Sequence, residues 1–310
     1  KHWGTRSDDP NDAFPHEHRR DLRGYRVFCA WLNHDDSRSV NSQDTFVRGG
    51  DGKGYVKHHL IDFSSTLGAG SDVERRIAPQ NPRAGNEYIL ELKPILKTAF
   101  SLGLWERPWR RVPYRVFTEV GRFEAEFFEP HAWKPEYPNP AFERMRPADA
   151  FWAARIVSRV SDEAVRALVH TGEFDDVEAE RHLADTLIRR RDKIVAYYFR
   201  RMNPLAEFRI ADGGAALAFE NLGERARLAR AEAYECEWHV LENRTGRLDP
   251  LPAKGESTEE RLALPPGGHS YVMARIRTRA ATEAAWRKAV DVYVRKEGGV
   301  PTVVGIEREE

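Results

Sequence analysis

Asp36, Arg38, Asn41 and Asp62 are the residues whose types and spacing could do chemistry in this chain. They lie in His34-Asp35-Asp36-Ser37-Arg38-Ser39-Val40-Asn41 and in His58-His59-Leu60-Ile61-Asp62-Phe63-Ser64, on either side of a glycine-rich turn. Here an Asp is followed by a cation and an Asn, and a second Asp closes an apolar run. That pattern suits phosphoryl transfer. The reaction needs one carboxylate to orient an attacking hydroxyl. It also needs an amide and a second carboxylate to hold Mg²⁺ against the phosphates.

The elements that must position these groups follow from periodicity. Residues 17–32 place Leu22, Tyr25, Val27, Phe28, Trp31 and Leu32 on one helical face, which predicts a helix delivering the loop 34–41. Residues 43–47 and 55–63 read as two strands, joined through Gly49-Gly50-Asp51-Gly52-Lys53-Gly54, so that a hairpin over 43–63 carries Asp62. The turn lacks the spacing of a phosphate-binding loop and does not open a helix. Further helices are predicted over 87–100, 147–160, 162–171 and 176–201. In the last of these, Arg189-Arg190-Arg191 reads as a solvated face rather than a phosphate contact. Residues 133–140 form a proline-stiffened extended segment.

The two motifs resemble the catalytic and metal-binding loops of protein-kinase-like enzymes, including phosphoinositide kinases. In that family a His-x-Asp-x-Lys-x-x-Asn loop precedes a hairpin ending in Asp-Phe-Gly. His34, Asp36, Arg38 and Asn41 match the first motif, and Asp62-Phe63 the second. The resemblance implies ATP and Mg²⁺ as cofactors, Asp36 as the base, Asn41 and Asp62 as metal ligands, and Arg38 as the charge stabiliser. Arg38 stands where protein kinases use Lys, Asp35 where they use Arg, and Ser64 where they use Gly. No Gly-rich phosphate loop and no strand lysine precede Asp36. The nucleotide-clamping lobe would therefore come from an upstream segment or a partner chain. The wider texture also resembles a group of uncharacterised bacterial proteins, through Gly4-Thr5-Arg6, His16-Glu17-His18-Arg19-Arg20 and the stretch 133–142. Members of that group carry more chain before this point, and Lys1 in place of Met fits an excerpted or processed chain.

Two other readings compete. A non-catalytic scaffold would keep the kinase-derived fold and present Trp105, Trp109, Trp133, Tyr137 and Trp152 as a binding groove. A metal-dependent hydrolase would gather His34, Asp36, His58 and Asp62 around one ion. His58 and His59 are adjacent on a strand, so at most one of them can face such a site.

After Pro204 short β-type runs alternate with turns, at 206–210, 215–220, 235–241, 269–277, 289–295 and 302–307. The expected fold class is thus α+β: a kinase-like large lobe over 1–203, then a small antiparallel β-sandwich-like domain over 204–310. The charges balance, with 49 basic and 49 acidic residues, which gives no global reason to expect nucleic acid as a partner. No apolar run reaches membrane-span length. Two distant cysteines, Cys29 and Cys236, support neither a disulfide framework nor a zinc site and lean towards a cytoplasmic compartment. The phosphoryl acceptor is not legible.

Overall fold

The computed structural model describes residues 16–50, 52–69 and 83–310. The polar start of the chain and the Gly4-Thr5-Arg6 texture lie outside the described residues. The molecule mixes helices with antiparallel sheets and divides into two compact units, Lys1–Ile194 and Val195–Glu310. Among the described residues, no helix is long and apolar enough to cross a membrane.

In the first unit, α1 (Arg20–Leu32) leads into the loop 34–41, and β1 (Ser42–Arg48) pairs antiparallel with β2 (Gly54–Leu60). Then come α2 (Leu92–Phe100), α3 (Pro140–Glu143), α4 (Pro147–Val157), α5 (Asp162–His170) and α6 (Val177–Phe199). The helix starts follow local chemistry. Ser161 accepts from the Ala164 N–H at 3.1 Å, and Asn139 from the Ala141 N–H at 2.9 Å, each satisfying an orphan donor. Asp149 accepts from the Arg146 N–H at 3.1 Å and also from Arg23 at 2.7 Å, which ties the start of α4 to α1. Gly24 is where the two helices touch: a Cβ there would lie 2.7 Å from the Trp152 ring. Glycine's helix penalty is thus exchanged for close packing.

The C-terminal end of α1 is anchored with every orphan carbonyl satisfied. Asn33 takes the left-handed conformation (φ 53°) that ends many helices. The Cys29 carbonyl then accepts from the His34 N–H at 2.9 Å, and the Leu32 carbonyl from the Leu67 N–H at 2.8 Å. Ala30 and Trp31 accept from Arg190 of α6, at 2.5 and 3.0 Å. Arg190 also donates to the Glu124 carbonyl at 2.8 Å and lies 3.7 Å from the centre of the Phe128 ring. The triple-arginine run is therefore solvated only at Arg189. Arg190 is buried, Arg191 donates to the Val160 carbonyl at 2.7 Å, and Arg189 pairs with Glu126. Sequence periodicity could not see this, because an α-helix end offers acceptors that only a buried cation from another helix reaches.

In the second unit, β3 (Leu205–Ala211), β4 (Ala216–Asn221) and β7 (Arg261–Ala263) form one sheet in the order β3-β4-β7. The other runs β10-β9-β8-β5-β6, from β5 (Ala233–Glu242), β6 (Arg247–Ser257), β8 (Tyr271–Arg279), β9 (Val290–Arg295) and β10 (Thr302–Arg308). Leu217, Phe219 and Leu262 of the smaller sheet share one apolar core with Tyr234, Trp238, Val292 and Val294 of the larger. The division between the units falls inside α6, ahead of residue 204. The last turn of α6 is tied to the second unit, where the Trp286 indole donates to the Phe199 carbonyl at 2.9 Å.

Candidate functional site

The helix end sets the exit direction of the loop. The Asn33 side chain accepts from the Trp133 indole at 2.8 Å and donates to the Ala84 carbonyl at 3.3 Å, so the chain leaves α1 through a fixed gate. His34, Asp35, Asp36 and Ser37 are all buried, an unusual fate for four consecutive polar residues. Each is held by a named contact. The His34 ring stacks on Phe63 with centroids 5.5 Å apart, and its Nδ1 lies 3.4 Å from the Ser65 carbonyl. Burial lowers the His34 pKa, which favours the neutral ring. Ser65 Oγ donates to Asp35 at 2.5 Å, and the Asp35 backbone bonds both Ser65 and Glu136. The Ser37 carbonyl accepts from Asn139 at 2.9 Å.

Arg38 grips Asp36 with two nitrogens, at 2.5 and 3.0 Å, while its guanidinium lies over the Tyr137 ring at 5.0 Å. The Asn41 side-chain amide donates to the Asp36 carbonyl at 2.6 Å and closes the loop. The Asn41 carbonyl accepts from the Ile61 N–H at 2.9 Å. This last bond brings the end of the hairpin onto the loop, so Asn41 and Asp62 belong to one locality. β2 stops at Leu60, and the apolar run does not continue as strand to 63. Asp62 adopts a left-handed backbone (φ 60°) and is exposed. That conformation costs an L-residue energy, and Asp tolerates it through local bonding. Ser64 Oγ and N–H both donate to Asp62 Oδ1, at 2.6 and 3.2 Å, which holds the Asp62 carboxyl below the usual range.

The same locality collects acids. Burial pushes the Asp35 carboxyl up to about 7, with Glu136 and Asp36 adding repulsion. Burial raises Glu136 as well, helped by Asp36. A small pocket lined by His34, Ser37, Arg38, Asn41, Ser42 and Leu60 has room for about one water-sized group. A nucleotide does not fit inside it.

The donors for a cation are oxygens. Asn41 spends its amide nitrogen on Asp36, and both Ser64 bonds fall on Asp62 Oδ1. Asn41 Oδ1 and Asp62 Oδ2 are oxygens of the type that Mg²⁺ prefers. Mg²⁺ is commonly held by one or two protein oxygens plus phosphates and waters, so this pair fits its chemistry. Among the described residues, no group of three or more His, Cys, Asp or Glu is placed to hold a metal ion. His58 Nδ1 pairs with Asp44, which also accepts from Arg19 at 3.0 Å, and His34 stacks on Phe63 with its Nδ1 near the Ser65 carbonyl. Of the aromatics read as a groove, Trp109 and Trp133 are buried, Trp105 and Trp152 are half-buried and Tyr137 is exposed. Sequence reading missed Ser65, Glu136 and Asn139, and read Tyr137 only as a groove aromatic. They approach the loop through tertiary contact, which spacing along the chain does not show.

Comparison of the chain with protein-family models, with curated proteins and with solved structures found no match.

Proposed function

We propose that the chain is the catalytic-loop portion of an ATP- and Mg²⁺-dependent phosphotransferase, with residues 1–203 built like the large lobe of a kinase and 204–310 as an appended β-sandwich-like domain. The observation that carries the reading is the folding of the loop 34–41 onto the end of the hairpin: His34 stacked on Phe63, and the Asn41 carbonyl bonded to Ile61. Two segments separated in sequence are thus joined, which supports a shared use of Asp36, Asn41 and Asp62. Asp36 orients the acceptor hydroxyl and takes its proton. Arg38 offsets charge on the transferred group. Asn41 Oδ1 and Asp62 Oδ2 hold Mg²⁺, which bridges and neutralises the phosphates. The pocket is too small for ATP, so the reading requires a nucleotide-clamping lobe from upstream or from a partner.

One observation favours a second reading, a kinase-derived scaffold: Arg38 grips both oxygens of Asp36, which opposes its use as a base. Phosphotransfer assayed with radiolabelled ATP decides between them, on this chain and on a version extended upstream. Asp36→Asn and Asp62→Asn should each lower the rate at least about a hundredfold, the scale of a lost general base. Unchanged rates in both variants would refute the phosphotransferase reading.

A further inference from the structure

Among the described residues, α2 and the segment after it carry a run of highly exposed apolar side chains. Helix α2 buries none of its residues. Leu92 is 69% exposed and Phe100 84%, and Ile95 and Leu96 are open to solvent beside them. Leu102 (φ 51°) and Gly103 (φ 84°) turn the backbone into a tight protrusion, which leaves Leu102 91% and Leu104 88% exposed. Such side chains in contiguity need a covering surface.

The charge around them says which. Between Leu92 and Val116 there are six basic residues, Lys93, Lys97, Arg107, Arg110, Arg111 and Arg115, against one acidic residue, Glu106, in a chain whose net charge is zero. Some of these cations are used locally: Arg107 pairs with Glu87, Arg111 with Glu106 and Arg115 with Glu178. Lys93, Lys97 and Arg110 are exposed, and Lys97 and Arg110 lie over the Trp105 and Trp109 rings. A short helix with a bare apolar face, a protruding leucine pair and flanking cations over tryptophans has the composition of an interfacial membrane anchor. An acidic protein groove would match the cations. The leucine pair flanking a turn, each about nine-tenths exposed, matches the acyl boundary of a bilayer better than a cleft.

We infer that α2 and the Leu102–Leu104 turn dock on a lipid surface carrying anionic headgroups. The leucines and Phe100 enter the acyl boundary, and Lys93, Lys97 and Arg110 meet the headgroups. The inference is independent of the phosphotransfer reading.

The test is co-sedimentation of the full chain with vesicles of phosphatidylcholine alone and of phosphatidylcholine with about one third phosphatidylserine, at low and at physiological salt. Binding should require phosphatidylserine and weaken as salt screens the headgroups. Leu102→Asp with Leu104→Asp, and separately Lys93→Glu with Lys97→Glu, should each weaken it at least about tenfold, since each basic residue near an anionic surface contributes severalfold to affinity. Both pairs are on the surface, and unchanged circular dichroism would show that the fold is kept. Failure to bind phosphatidylserine vesicles at low salt overturns the inference, as does equal binding to phosphatidylcholine alone. A concentration-dependent dimer, seen by light scattering and abolished by the leucine variants in the absence of vesicle binding, also overturns it and assigns the face to a second copy.

Discussion

Arg190 holds the end of the helix that delivers the candidate loop, and its replacement by Met tests that arrangement directly. Met keeps much of the volume and removes the charge and all donors. The Ala30, Trp31 and Glu124 carbonyls then lose their partner in a buried setting. A buried carbonyl left without a donor costs about 1–3 kcal/mol. Three of them would cost about 3–9 kcal/mol, and removing a desolvated cation returns part of that. Burial lowers the Arg190 guanidinium to about 9, so it is still charged at neutral pH and its desolvation counts. The net expectation is a loss of about 3–5 kcal/mol, a large share of the 5–15 kcal/mol that holds a typical domain. Arg190→Lys keeps the charge but cannot reach three diverging carbonyls, and should lose about half as much. The assay is urea unfolding, combined with hydrogen exchange read on peptides spanning residues 29–41. Exchange in those peptides should rise more than in β9 and β10. A loss under about 1 kcal/mol with unchanged exchange would show that the arginine does not anchor the helix end.

The buried acids predict a pH dependence. The Asp35 carboxyl moves from an ordinary 3.8 to about 7 in the fold, so the native state binds a proton that the unfolded chain releases. Its contribution is complete below pH 3.8 and is lost as pH rises through about 7, an effect of about 4 kcal/mol at most. Asp35→Asn should flatten the stability–pH curve between pH 4 and 7 and stabilise the protein at pH 8. A curve as steep as that of the parent would disprove the assignment. Gly85 sits at φ 80°, and a Cβ there would lie 2.1 Å from Asn33 Oδ1 and 2.6 Å from the Trp133 indole nitrogen. Gly85→Ala should therefore break the Asn33–Trp133 bond and cost about 2–4 kcal/mol by thermal unfolding. A melting temperature within a degree of the parent's would contradict the close approach.

What could be read from the sequence divides along physical lines. Helices α1, α4, α5 and α6 were legible because their apolar residues recur at helical spacing, with Pro147 and Ser161 marking the starts of α4 and α5. β9 was legible because Val290, Val292 and Val294 alternate into the core. β6 was not, because Pro250, Pro252 and Gly255 argue against a strand. It survives as the edge of its sheet, where a missing N–H faces no partner. At the site, the motif residues were legible from spacing, while the grip of Arg38 on Asp36 was not. Neither composition nor period says whether a cation two residues from a carboxylate turns back on it or faces outward.

That grip is the question the phosphotransfer reading must answer. Asp36 is buried, with Oδ2 accepting from Arg38 and Oδ1 held in ion-pair contact with the same guanidinium, so the closed pair opposes the approach of an acceptor hydroxyl. Arg38 is also the group best placed to let go. Its guanidinium is partly exposed, lies over the exposed Tyr137 ring, and faces the acidic Glu136. A transferred phosphate carries more charge than one carboxylate and offers Arg the same bidentate geometry. Phosphate arriving beside Asn41 and Asp62 would compete for Arg38 and free Asp36 in the same movement. The base would then become available only when the phosphoryl group is in place. In such an arrangement Arg38→Met would not liberate Asp36. The carboxylate would be left buried without its cation, next to Asp35 and Glu136.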